Sequence, residues 1–148
     1  MNTSETIFEI TKKTLITANI KDSLTLVNDL FKKNKIRHIP VIDDTKKLIG
    51  IISLTDIQRI CIGGAFGGEP EMVNKAILEM MTIEQVMKKS QHTVQKNQSI
   101  RDVAEMLTKE EFHALPVVDV EKLVGIVTTT DMIKYLLDKC NAVTETIC

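Results

Sequence analysis

Apolar positions along this 148-residue chain fall into a pattern that occurs twice. After Asp22-Ser23, Val27, Leu30 and Phe31 recur at the i, i+3, i+4 spacing of one buried helix face. A polar turn, Lys32-Lys33-Asn34-Lys35, ends that stretch. The period then shortens. Ile39-Pro40-Val41-Ile42 and Leu48-Ile49-Gly50-Ile51-Ile52 are dense β-branched runs on either side of Asp44-Thr45-Lys46-Lys47, which predicts two strands joined by a hairpin. Ile57, Ile60 and Cys61 predict the inward face of a second helix. The later half repeats all of this. Ile100, Val103, Ala104 and Leu107 follow Gln98-Ser99; Leu115 to Val118 and Leu123 to Val127 are the strands; Ile133, Leu136 and Leu137 are the expected buried face of the last helix. Pro40 and Pro116 belong at strand starts or edges, because proline donates no ladder hydrogen bond.

A short helical turn precedes each copy. Thr6-Ile7-Phe8-Glu9 and Thr82-Ile83-Glu84-Gln85 have capping-box spacing, and residues 6–17 align with 82–93 at an offset of 76. The second hairpin is one residue shorter, so later motifs lie 75 apart. Each copy reads short strand, helix, strand, hairpin, strand, helix. That is an α+β class with repeats at 6–61 and 82–137, joined by a connector at 62–81. The Gly63–Gly68 stretch of the connector reads as a flexible loop, and no Gly-Lys-Ser/Thr follows it to make a phosphate loop. Pro70 then opens a helix with Val73, Ala76, Ile77 and Met80 on one face.

The most informative recurrence is Gly50-Ile51-Ile52-Ser53-Leu54-Thr55-Asp56 against Gly125-Ile126-Val127-Thr128-Thr129-Thr130-Asp131. Each ends a strand on Ser or Thr and starts a helix with Asp three residues on, the spacing of a reciprocal helix cap. A helix start also presents free N–H groups and a positive dipole end. An aspartate there repels phosphate but accepts hydrogen bonds from a pair of sugar hydroxyls. A single such motif is usually a cap and nothing more; two in matching context point further.

Composition narrows the function. Apolar residues make up 43% of the chain, with one Tyr, four Phe and no Trp, so the core is aliphatic. A formal net charge of −1 gives no electrostatic case for nucleic acid or an anionic membrane. No apolar run approaches the roughly 20 residues that span a bilayer. Cys61, Cys140 and Cys148 form no C-x-x-C pair, which reads as a reduced, cytoplasmic protein. His38, His92 and His113 lack metal-ligand spacing, and no nucleophile–base motif stands out, so neither a metal site nor an enzyme is expected. The pairs Lys12-Lys13 and Lys88-Lys89 could rim a cleft, and Arg59 and Lys134, one turn beyond the aspartates, could extend toward a phosphate, but solvated surface charge is the commoner reading of all of them.

From about Thr6 to Leu137 the chain resembles a tandem pair of CBS domains. The resemblance rests on Arg37-His38-Ile39-Pro40-Val41-Ile42-Asp43 with the Gly50–Asp56 motif, and on Ala114-Leu115-Pro116-Val117-Val118-Asp119 with the Gly125–Asp131 motif. It implies a pseudo-two-fold pair of small mixed sheets flanked by helices, clefts that bind adenosine nucleotides, and a homodimer formed through the helices. Each cleft is expected to be built crosswise. The first joins Thr11, Thr14, Ile16, Arg37 and His38 with Thr128, Thr130 and Asp131. The second joins Met87, Ser90, His92, His113 and Ala114 with Ser53, Thr55 and Asp56. Asp131 and Asp56 would take the ribose hydroxyls, and the Ser and Thr hydroxyls the phosphate. Arg37 gives the first cleft a forked cation, so it is expected to prefer phosphorylated nucleotides. The second, with Ala114 after His113, is expected to be weaker, empty or suited to a less charged adenosyl ligand.

The expected function is a non-enzymatic regulatory module that senses AMP, ADP, ATP or S-adenosylmethionine and acts on a separate effector protein, with no catalytic cofactor. The alternative is a ligand-free dimerisation or scaffold module that keeps the caps only for folding.

Overall fold

The structure is a computed structural model and describes residues 5–11, 13, 15–62, 70–89, 92–109 and 112–142. The Gly63–Gly68 loop lies outside them. The chain forms two compact units, 16–91 and 1–15 with 92–148.

The contiguous unit holds β1 (Ala18–Asn19), α1 (Leu24–Asn34), β2 (His38–Ile42), β3 (Leu48–Ser53), α2 (Leu54–Ile62), α3 (Pro70–Met80), the short α4 (Ile83–Val86) and β4 (Lys88–Lys89). Its sheet runs β1-β2-β3-β4. β1 pairs with β2 in parallel, and the remaining pairs are antiparallel. Ser23 caps α1 by accepting from the Leu26 N–H, and Lys35 ends it at φ 51. Val27 and Phe31 enter a core with Ile39, Val41, Ile52, Ile57 and Ile83. Among the described side chains of α3, Lys75 to Met80, Leu78 is buried while Ala76 and Met80 are exposed, contrary to the expected face; Val73 lies outside those described. Thr82 and Gln85 form the predicted capping box.

The other unit holds β5 (Val94–Gln95), α5 (Ile100–Lys109), β6 (Ala114–Asp119), β7 (Lys122–Thr128) and α6 (Thr129–Ala142). Its sheet runs β5-β6-β7, with a parallel β5-β6 pair and an antiparallel hairpin. Both hairpins carry a register shift at the same place, between Val41 and Ile42 and between Val117 and Val118. The architecture is thus the α+β one expected, with small mixed sheets flanked by helices.

Two differences from the sequence reading have clear causes. Thr6 makes no side-chain cap, because Ile7–Glu9 is a single 3-10 turn and Thr6 instead bridges to Ser99. On α6 the buried apolar residues are Met132 and Tyr135, while Ile133, Leu136 and Leu137 are half exposed. That helix carries apolar side chains on both faces, so its periodicity alone does not fix which face turns inward.

The first turn of each repeat also packs away from its own repeat. Ile7, fully buried, completes the core of Val94, Ile100, Val103, Leu115 and Val127, and its N–H donates to the Gln98 carbonyl at 2.7 Å. Ile83 and Met87 complete the core of the contiguous unit, and β4 adds to β3 with Lys88 opposite Ile51.

Candidate functional site

The repeated motif folds the same way in each unit. β3 ends at Ser53, whose N–H donates to Asp56 Oδ2 at 2.9 Å while the Asp56 N–H donates to Ser53 Oγ at 3.1 Å. β7 ends at Thr128, whose N–H and hydroxyl donate to Asp131 Oδ2 at 2.8 and 3.0 Å; the Asp131 N–H returns to Thr128 Oγ1 at 3.2 Å. These reciprocal caps hold both carboxylates in place, and both are buried, at 5% and 8% exposure. Each spends Oδ2 on its own cap. Among the described residues, neither Oδ1 accepts a hydrogen bond. A carboxylate oxygen fixed at a helix start can accept from an incoming hydroxyl donor.

The strand before each hairpin is fastened to this point. The Leu54 N–H donates to the Arg37 carbonyl at 2.9 Å, and the Thr129 N–H to the His113 carbonyl at 3.1 Å. His38 lies opposite Ser53, and Ala114 opposite Thr128. Exposed Arg37 and half-buried His38 therefore flank the first cap; exposed His113 and half-buried Ala114 flank the second. Thr55 and Thr130 are exposed in the first turns of α2 and α6.

The contiguous unit brings together Ile16, Arg37, His38, Ser53, Thr55, Asp56 and Met87. The other unit holds Thr11, His92, His113, Ala114, Thr128, Thr130 and Asp131. Each unit thus contains part of both predicted residue sets, and Thr14 and Ser90 lie outside the described residues. Three residues have local duties. Thr11 is buried and its hydroxyl donates to the Ile7 carbonyl at 2.7 Å. Met87 belongs to the core. The exposed His92 ring lies 4.6 Å from that of Phe112.

The sequence predicts Lys88 as solvated charge, yet its Nζ lies 3.9 Å from Asp56 Oδ1, as does Nη1 of Arg59. Its repeat counterpart, Lys12, is outside the described residues. The sequence signal for Lys88 was the recurrence of the lysine pair at the same place in both repeats; the strand pairing that carries it to Asp56 left no local mark.

Among the described residues, no group of three or more His, Cys, Asp or Glu side chains is arranged to hold a metal, and no helix is long and apolar enough to cross a membrane.

Comparison with known proteins agrees with this duplicated arrangement. The family model of the CBS domain matches residues 7–63 and 83–138. Inosine-5'-monophosphate dehydrogenase of Aquifex aeolicus is 32% identical over 107 residues, which cover 72% of this chain but only 19% of that enzyme. An uncharacterized protein of Methanocaldococcus jannaschii is 28% identical, with 87% of this chain and 89% of that one covered. Among solved structures, the CBS domain pair of protein MJ0100, in complex with 5'-methylthioadenosine and S-adenosyl-L-methionine, superposes with a TM-score of 0.70 at 28% identity, covering 91% of this chain and 98% of that one.

Proposed function

This chain belongs to the CBS domain family, and from that membership we propose that it is a non-catalytic regulatory module that binds an adenosine nucleotide and signals to a separate effector protein. One observation carries the reading: a buried aspartate at each of two equivalent helix starts, with one oxygen fixed by the cap and the other accepting no hydrogen bond among the described residues. A folding cap needs only the first oxygen. The second suits the paired hydroxyls of a ribose, and the positive dipole end of the same helix start suits a phosphate. The adenosyl ligands of the MJ0100 pair support this chemistry. A ligand that favours one arrangement of the protein shifts its population by its differential affinity, which is how binding becomes a signal.

Calorimetric titration with AMP, ADP, ATP and S-adenosylmethionine tests the proposal. Saturable binding is expected for at least one. Replacing both Asp56 and Asp131 by Ala should weaken it tenfold or more, while unfolding stability falls by only about 1 kcal/mol per lost cap. Unchanged affinity in that double variant, or no binding by ligand-free protein, would overturn it.

A second reading, a dimerisation or scaffold module, is favoured by the exposed Ile133, Leu136 and Leu137. Ile133 and Leu136 line an apolar groove of about 420 Å³ between α5 and α6, with Ile100, Ala104 and Met132. In this reading a second copy of the chain covers that face. Sedimentation of wild type and Leu136→Glu distinguishes a dimer that dissociates from a protein that never formed one.

A further inference from the structure

β4 brings a cation to the Asp56 carboxylate, and a glycine makes room for it. A Cβ on Gly50 would lie 2.6 Å from the Lys88 carbonyl oxygen and 2.8 Å from Met87 Sδ. Only a residue without a side chain lets the strand run so close, with Lys89 opposite Gly50 and Lys88 opposite Ile51. This placement sets Lys88 Nζ 3.9 Å from Asp56 Oδ1, and Arg59, one turn into α2, reaches the same oxygen at 3.9 Å. Both cations are largely exposed, whereas the carboxylate is 5% exposed. Thus the oxygen that a ribose would use faces two exposed positive side chains.

We propose that Lys88 and Arg59 form a charge filter at the Asp56 site, holding its carboxylate when no ligand is present and passing to the ligand's phosphate when one binds. The proposal rests on the adenosyl-binding reading above and adds a ligand class: adenosine carrying a 5'-phosphate, in preference to an uncharged 5'-substituted adenosine. The argument is one of compensation. Ribose hydroxyls that take Asp56 Oδ1 displace both cations from it, and losing the two exposed pairs costs a small amount of free energy each. A phosphate gives those cations a new anion at the start of a nine-residue helix whose dipole also favours it. An uncharged ligand pays the displacement and returns nothing. Arg37 against Ala114 predicts a second cleft that is weaker, empty or suited to a less charged adenosyl ligand; Lys88 brings to Asp56 a cation that this pair of positions does not include.

The test uses the full chain carrying Asp131→Asn, so that the Asp56 site is read alone, with AMP and 5'-methylthioadenosine as probes in calorimetry at two salt concentrations. AMP is expected to bind at least tenfold more tightly than 5'-methylthioadenosine, and its affinity should fall with salt. Adding Lys88→Gln and Arg59→Gln should reduce that ratio to about threefold or less, mainly by weakening AMP, with thermal unfolding near that of the parent. A ratio unchanged by those substitutions overturns the filter and leaves the binding proposal standing. Binding by wild type but not by the Asp131→Asn parent removes the Asp56 site and the filter with it. If neither probe binds wild type, the filter falls, and the search for the wider proposal's ligand rests on its remaining candidates.

Discussion

The Tyr135 hydroxyl donates to Glu5 Oε2 at 2.5 Å, across 130 residues of chain. Lys139, one turn further along α6, donates to Oε1 of the same carboxylate at 2.8 Å. This clasp fastens the segment that carries Ile7 into its core.

The clasp should leave a pH signature. The Lys139 hydrogen bond, and next that of Tyr135, holds the Glu5 carboxyl below its ordinary range. Its stabilisation is therefore full above the ordinary carboxylate value and is lost as pH falls through the lowered one. Glu5 in turn holds the Tyr135 hydroxyl and the Lys139 ammonium above their ordinary values. Their contributions are full below those values and are lost as pH rises through the raised ones. The difference in melting temperature between wild type and Glu5→Gln should be largest near neutrality and shrink on both flanks. A pH-independent difference would show that the clasp contributes through packing alone.

Gly50→Ala should destabilise by about 1–3 kcal/mol, the usual range for forcing atoms into a filled space. The close neighbour is the Lys88 carbonyl, a backbone atom, so β4 must move. Chemical denaturation measures the loss. A substitution that costs nothing would mean that β4 is loosely held.

Val120 turns the second hairpin at φ 62, a region that β-branched residues enter at a cost. The Gln95 side chain brackets it: its Oε1 accepts from the Val120 N–H at 3.1 Å and its Nε2 donates to the Val120 carbonyl at 3.4 Å. Val120→Asn relieves the strain without the entropy of glycine. It should raise unfolding stability by about 1 kcal/mol. A lower midpoint in urea would refute the account.

Neighbouring positions on α6 should respond in opposite ways. Met132→Ala removes a buried side chain and is expected to cost about 2–5 kcal/mol. Ile133→Ala alters an exposed one and should change monomer stability by no more than about 0.5 kcal/mol. Denaturation at low protein concentration compares them; equal losses would place the wrong face inward.

Those two residues also mark where the sequence stops being legible. The order of elements, both hairpins and both Ser/Thr–Asp caps follow from local chemistry: β-branched runs, i, i+3, i+4 spacing and a cap three residues from its partner. On α6, however, Met132 and Tyr135 lie on one apolar side and Ile133 and Leu137 on another, and only the packed core decides which side is buried. Lys88 was unreadable for a related reason. Its role depends on a strand pairing with Ile51, and a two-residue strand of lysines has no pattern that announces a partner. Ile7 looked like part of its own repeat, because nothing within Thr6–Glu9 specifies Gln98 as the acceptor for its backbone.

That exchange of opening turns also orders the birth of the protein on the ribosome. Residues 16–91 are one uninterrupted stretch, and every strand of their sheet has been made once Lys89 has emerged. The other unit starts with the opening segment that carries Ile7 and is not complete until α6 has been made. Domains generally fold as units, in the order in which they leave the ribosome. Synthesis therefore closes the inner unit first, while Ile7 waits for a strand, Val94, that has yet to be translated.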